Sequence, residues 1–117
     1  MKFALLIYGD EKAWENASEA DQAKMYAGHE AFGKWLAETG WARGGEELHS
    51  SQQAKTVRTN ESESVVADGP FAETKEQLGG IYLIECDTVD QAVEAAKRIP
   101  ATTVEVRPIV GEADQPS

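Results

Sequence analysis

The sequence holds a single cysteine, Cys86, in 117 residues. One thiol excludes an intramolecular disulfide, a CxxC redox pair and a cysteine zinc centre. Histidine is almost as scarce: His29 and His49 stand alone, without HxH, HxxxH or HExxH spacing, so no metal is expected. No GxGxxG or P-loop run opens a helix, so no cofactor is expected, and neither a Ser-His-Asp order nor a GxSxG elbow is present. Long apolar runs are also missing. The opening stretch Phe3 to Tyr8 is too short for a signal-peptide core or a bilayer span, which predicts a cytoplasmic protein without a membrane. Positive charge is in deficit, with eleven Lys and Arg against twenty-one Asp and Glu and a formal net charge of −10. Such a chain repels nucleic acid, because affinity for a polyanion comes largely from phosphate neutralisation.

What is present fits one soluble domain: 41% hydrophobic and 27% charged residues at a size that buries roughly two-thirds of the extended chain's surface. Lys2 to Tyr8 reads as a strand apolar on both faces. A polar connection, Asp10 to Ala17, follows with Trp14 as its anchor. Ser18-x-x-Asp21 then opens an amphipathic helix whose inward stripe is Met25, His29, Phe32 and Leu36, closed by Gly40. Trp41 to Leu48 reads as a strand weakened by Gly44-Gly45, a bulge or a close backbone approach, and Ser50 to Gln53 as loop. Ala54 to Thr59 and Ser64 to Ala67 form a hairpin about Asn60-Glu61-Ser62. Asp68-Gly69-Pro70 is a turn, and the excursion that follows it is anchored by Phe71 and Leu78. Ile81 to Cys86 is a second apolar strand. Thr88-x-x-Gln91 caps a second helix with Val89, Ala92, Val93 and Ala96 inward, stopped by Pro100. Val104 to Ile109 alternates as a last strand, in which Pro108 favours an edge or the strand's end.

This order predicts an α+β fold, a ferredoxin-like split βαβ with an antiparallel sheet and both helices on one face. The opposite face then carries apolar residues from two strands, and pairing two sheets into a dimeric α+β barrel covers them. The expected organisation is one domain over 1–110 with a polar tail over 111–117.

The run DGPFAETKEQLGGIYLIE, from Asp68 to Glu85, resembles the signature of YCII-related proteins of the DGPF type. The opening KFALLIYGDE, the GGEEL at Gly44 to Leu48 and the closing VEVRPI at Val104 to Ile109 are similar to segments of the same family. The resemblance implies a homodimeric ferredoxin-like α+β barrel. It also implies a His–Asp pair in a cleft, with lyase or isomerase chemistry on small organic acids, at the matching positions His29 and Asp68. An association of such proteins with extracytoplasmic-function sigma factors implies the alternative, a regulatory role.

The residues themselves leave two readings each. His29, on the inward stripe, is placed for a general base oriented by a carboxylate, or is a core-edge histidine satisfied by one hydrogen bond. Asp68 orients His29 or closes an Asx-turn. Arg43 has the fork for a substrate carboxylate, or pairs with Glu46 or Glu47. Tyr8 and Tyr82 line a pocket with their hydroxyls or fill the core. His49 is expected in solvent, and Trp14, Trp35 and Trp41 as packing anchors. Two functions follow: a cofactor-free lyase or isomerase acting on a small acidic metabolite, or a non-catalytic module that binds a ligand or regulatory partner.

Overall fold

β1 (Lys2–Gly9) is the strand around which the sheet assembles, because it is paired along both edges. The computed structural model describes residues 1–111, so the expected tail lies, after Gly111, outside the described residues. The elements after β1 are α1 (Glu11–Glu15), α2 (Glu19–Thr39), β2 (Ala42–Glu47), a 3-10 turn at Ser51–Gln53, β3 (Lys55–Thr59), β4 (Ser64–Asp68), β5 (Gln77–Glu85), α3 (Val89–Lys97) and β6 (Thr103–Pro108). Four strands form an antiparallel sheet in the order β2-β5-β1-β6. With α2 between β1 and β2 and α3 between β5 and β6, this is the ferredoxin-like α+β arrangement that the sequence predicts.

Register explains which residues meet the helices. Leu5 lies between Tyr82 of β5 and Val106 of β6, and Phe3 lies between Ile84 and Pro108. Phe3, Leu5 and Ile84 are fully buried against Phe32 and Leu36 of α2 and Ala92 and Ala95 of α3. Each large side chain removed from water contributes about 1.5–3 kcal/mol, so this cluster fixes both helices to one face. Ala4, Leu6, Ile81 and Leu83 alternate onto the opposite face and stay half-buried. Pro108 ends β6 at the sheet's edge, where its missing N–H breaks no ladder.

The caps follow the sequence. The Ser18 hydroxyl accepts from the Asp21 N–H at 3.0 Å, and Gly40 closes α2 at φ 77°, a left-handed conformation that glycine adopts without penalty. Both halves of the Thr88–Gln91 box are made.

Three expectations are corrected. The connection after β1 contains helix α1, nucleated by the Asp10 carboxylate, which accepts from the Lys12 and Ala13 N–H groups. The buried face of α3 runs through Ala92 and Ala95 with Ala96 and Ile99, while Val89 and Val93 are exposed. Small side chains let that helix approach the sheet more closely than the valines allow. The β3–β4 hairpin forms as expected, apart from the four-stranded sheet, and no residue of this arm is buried. Phe71, expected to anchor the following segment, is 76% exposed.

Candidate functional site

His29 sits one turn before Phe32 on α2, so the packing that buries Phe32 also aims the imidazole at the sheet. There the ring meets Tyr82 of β5: Nδ1 is 2.8 Å from the phenolic oxygen, and the two rings lie nearly parallel with centroids 6.0 Å apart. Phe32 holds the other side of Tyr82 edge-on at 4.9 Å. Gly45, opposite Tyr82 on β2, makes room for the phenol. A Cβ there would stand 2.9 Å from Tyr82 Cδ1 and 3.2 Å from the Ile81 carbonyl oxygen. The glycine pair of β2 thus has two uses, since the strand's register also shifts between Ala42 and Gly44.

Glu47, two residues beyond Gly45 and on the same strand face, supplies the site's carboxylate. Tyr26, three residues before His29 on α2, donates its hydroxyl to Glu47 Oε2 at 3.0 Å and packs edge-on against Trp14 of α1 at 5.6 Å. Burial holds the His29 pKa below its ordinary 6.5, against an opposing pull from the Glu47 charge, so the imidazole is neutral at pH 7. Burial also raises the Tyr82 pKa, which keeps its hydroxyl protonated. The pair therefore shares one proton between Nδ1 and the phenol in either of two senses. When Nδ1–H donates to Tyr82, the Nε2 lone pair is free to act as a base. When Tyr82 donates to Nδ1, Nε2–H is a donor.

The other residues singled out from the sequence lie elsewhere. Asp68 ends β4, where the hairpin register sets it opposite Lys55, and the two form an exposed ion pair. Gly69, at φ 90°, then turns the chain, and its N–H donates to the Ala54 carbonyl at 2.7 Å. The expected His29–Asp68 pair does not form within the chain, because the ladder gives Asp68 a cation of its own and gives His29 a tyrosine. Arg43 donates to Glu85 Oε1 at 3.1 Å and to the carbonyls of Gly40 and Ala42, so its fork is already engaged at the β2 bulge. Its carboxylate partner is Glu85 rather than Glu46 or Glu47. Tyr8 lies on the opposite sheet face from Tyr82 and donates to Glu105 at 3.2 Å, so the two phenols do not line one pocket. His49 is exposed on a loop.

Trp35 packs between Phe32 and Trp41 and receives the Arg98 guanidinium over its ring at 4.2 Å, which makes two of the tryptophans packing residues. Among the described residues, no group of three or more His, Cys, Asp or Glu side chains is arranged to hold a metal ion. Among them, too, no helix is long and apolar enough to cross a membrane.

Sequence reasoning missed Glu47 and Tyr26, whereas the close approach expected as one reading of Gly44-Gly45 is found at Gly45, against Tyr82 and the Ile81 carbonyl. Tyr26 was within reach, since a residue three before His29 shares its helix surface. Glu47 was not, because it joins the site only through the register of β2 on β5, a pairing between strands some thirty-five residues apart in sequence.

Comparison with known proteins assigns the chain to a family. The family model described as YCII-related domain matches residues 1–112. An uncharacterized protein of Rhizobium meliloti (strain 1021) is 36% identical over 114 residues, covering 93% of this chain and 92% of the relative. By both measures the chain belongs to the YCII-related family.

Proposed function

We propose that His29 and Tyr82 form the acid–base pair of a cofactor-free lyase or isomerase acting on a small organic acid. The observation that carries this reading is the 2.8 Å contact between the half-buried His29 imidazole and the Tyr82 phenol on the helix-facing side of the sheet, where burial favours the uncharged form of both groups. A neutral imidazole near its working pH is the usual protein base for removing a proton from carbon, and a neighbouring hydroxyl can return one. In this reading Nε2 accepts the proton from the substrate carbon while Nδ1–H stays on the Tyr82 oxygen, which fixes the tautomer. The proton then goes back to another carbon in an isomerisation, or to the leaving group in an elimination. Tyr82 takes the orienting place expected of Asp68, and Glu47 favours the imidazolium that forms.

Proton exchange tests this before the substrate is identified. In D2O, a panel of small 2-oxo and unsaturated carboxylic acids should include one whose acidic C–H exchanges in the presence of the protein, followed by proton NMR. His29→Gln should slow that exchange about a hundredfold or more. Equal exchange with the variant, or none with any acid, would contradict the assignment.

A second reading, a non-catalytic module that binds a partner, draws on the β3–β4 arm. Val57, Val65 and Val66 are exposed there and Phe71 follows, although a two-stranded hairpin is marginal in water without cover. The same surfaces, with the half-buried Leu6, Ile81 and Leu83, support the proposal that the chain works as a homodimer; a single domain over 1–110 in the cytoplasm is proposed with it from the sequence alone. Sedimentation at micromolar concentration decides the stoichiometry.

A further inference from the structure

The segment after the DGPF turn has no regular structure, yet side chains hold it in place. The Gln77 amide donates to the Ala72 carbonyl at 3.1 Å and to the Thr74 carbonyl and hydroxyl at 3.2 and 3.1 Å. The Thr74 hydroxyl in turn donates to the Glu76 carbonyl at 2.6 Å. This segment forms one wall of a cavity of about 420 Å³, whose other walls are α1 and the 3-10 turn. Those two are tied together by Glu11, whose carboxylate accepts from the Ser51 N–H at 2.6 Å and from the Ser51 hydroxyl. The volume is within the range of small-molecule sites, and walls fixed by their own hydrogen bonds need little reorganisation to bind.

The polar groups that build the walls are thereby used up, while others on the same lining are not. Among the described residues, the ammonium groups of Lys12 and Lys75 and the carboxylates of Glu15 and Glu73 have neither an ion-pair nor a hydrogen-bond partner. Exposed residues of both charge signs thus line one cavity without pairing with each other. A plain anion would meet Asp10, Glu11, Glu15 and Glu73, which outnumber the two lysines. A plain cation would leave the lysines opposed. We infer that this cleft binds a small zwitterion, with its carboxylate toward Lys12 and Lys75 and its ammonium toward Glu15 and Glu73. The site is separate from the His29–Tyr82 pair and does not depend on that pair's chemistry.

The test uses the full chain in two-dimensional amide NMR, titrated with glycine, β-alanine and γ-aminobutyrate, whose charges stand progressively further apart. The amine and the carboxylic acid of matching chain length serve as single-charge probes. At least one zwitterion should give saturable shifts at Lys12, Glu15, Gln52, Thr74 and Lys75, with the matched amine and acid giving none at the same concentration. A Lys12→Gln, Lys75→Gln variant, with its other peaks unmoved, should bind about tenfold or more weakly, as expected for loss of charge-assisted hydrogen bonds. Three results would overturn the inference: no saturable shift from any zwitterion up to about 20 mM, beyond which affinity has no meaning for a site; an equal response to the acid or amine alone; or an unchanged response in the variant.

Discussion

Replacing Gly45 with alanine probes the packing that brings Tyr82 to His29. The added methyl would lie 2.9 Å from Tyr82 Cδ1, 3.3 Å from Cε1 and 3.2 Å from the Ile81 carbonyl oxygen. Carbon atoms do not approach that closely, so either the phenol or the strand must move. β5 is held, because it is paired with β2 on one side and β1 on the other, so of the two strands only β2, at the sheet's edge, can give. The ring is held as well, between Phe32 at 4.9 Å and the 2.8 Å contact to His29. Overpacking a fitted site costs about 1–3 kcal/mol, against about 0.4–1 kcal/mol gained by stiffening the unfolded chain. The expected net loss is about 1–2 kcal/mol. Urea unfolding at one fixed protomer concentration measures it, with any dissociation included in the fit. Gly33→Ala is the matching reference: nothing lies within 4 Å of its added methyl, and it sits inside α2. It should stabilise by up to about 1 kcal/mol through helix propensity alone. If Gly45→Ala matched Gly33→Ala in sign, the phenol would not be confined and the geometry proposed for the pair would lose its support.

Tyr82→Phe keeps the edge contact with Phe32 but removes the hydroxyl from a half-buried imidazole. It should cost about 0.5–1.5 kcal/mol in the same unfolding assay. Stability should also depend on pH at both ends. Because the folded His29 pKa lies below 6.5, the unfolded chain binds more protons as pH falls below that value, so the stability present above it declines toward acid. Because the folded Tyr82 pKa lies above 10.0, the unfolded chain loses its proton first, and stability declines as pH rises past that value. In Tyr82→Phe the alkaline decline from this group should disappear while the acid one remains. Thermal unfolding in buffers from about pH 5 to about pH 11 reads both limbs, since that range brackets the ordinary values of the two groups.

Much of the fold was legible because its signals are local. The caps at Ser18, Gly40 and Thr88 depend on residues within one turn, and the two apolar strands declare themselves by composition. The failures share a physical origin in contacts between distant segments. On α3 the expected stripe was right at Ala92 and Ala96 but wrong at Val89 and Val93, because periodicity weighs hydrophobicity, whereas the sheet selected the small faces of Ala92 and Ala95 for close approach. Pro100 shows the same limit: it was legible as a helix stop, but its ring also packs against α2, 3.0 Å from where a Cβ on Gly28 would lie. For the site, His29 was legible from its place on the inward stripe. Its partner was not, since Tyr82 joins it through tertiary packing while Asp68 is held in the hairpin by Lys55.

The most direct measurement is the pKa of His29 by NMR titration in the wild-type chain and in two charge-removing variants. The account predicts a wild-type value below 6.5, set by burial. Glu47→Gln should lower it further, because the nearby negative charge that favours imidazolium is gone, and Asp68→Asn should leave it unchanged. A His29 pKa above 6.5 that falls in Asp68→Asn would contradict the account. It would restore the aspartate as the histidine's partner in place of Tyr82 and Glu47.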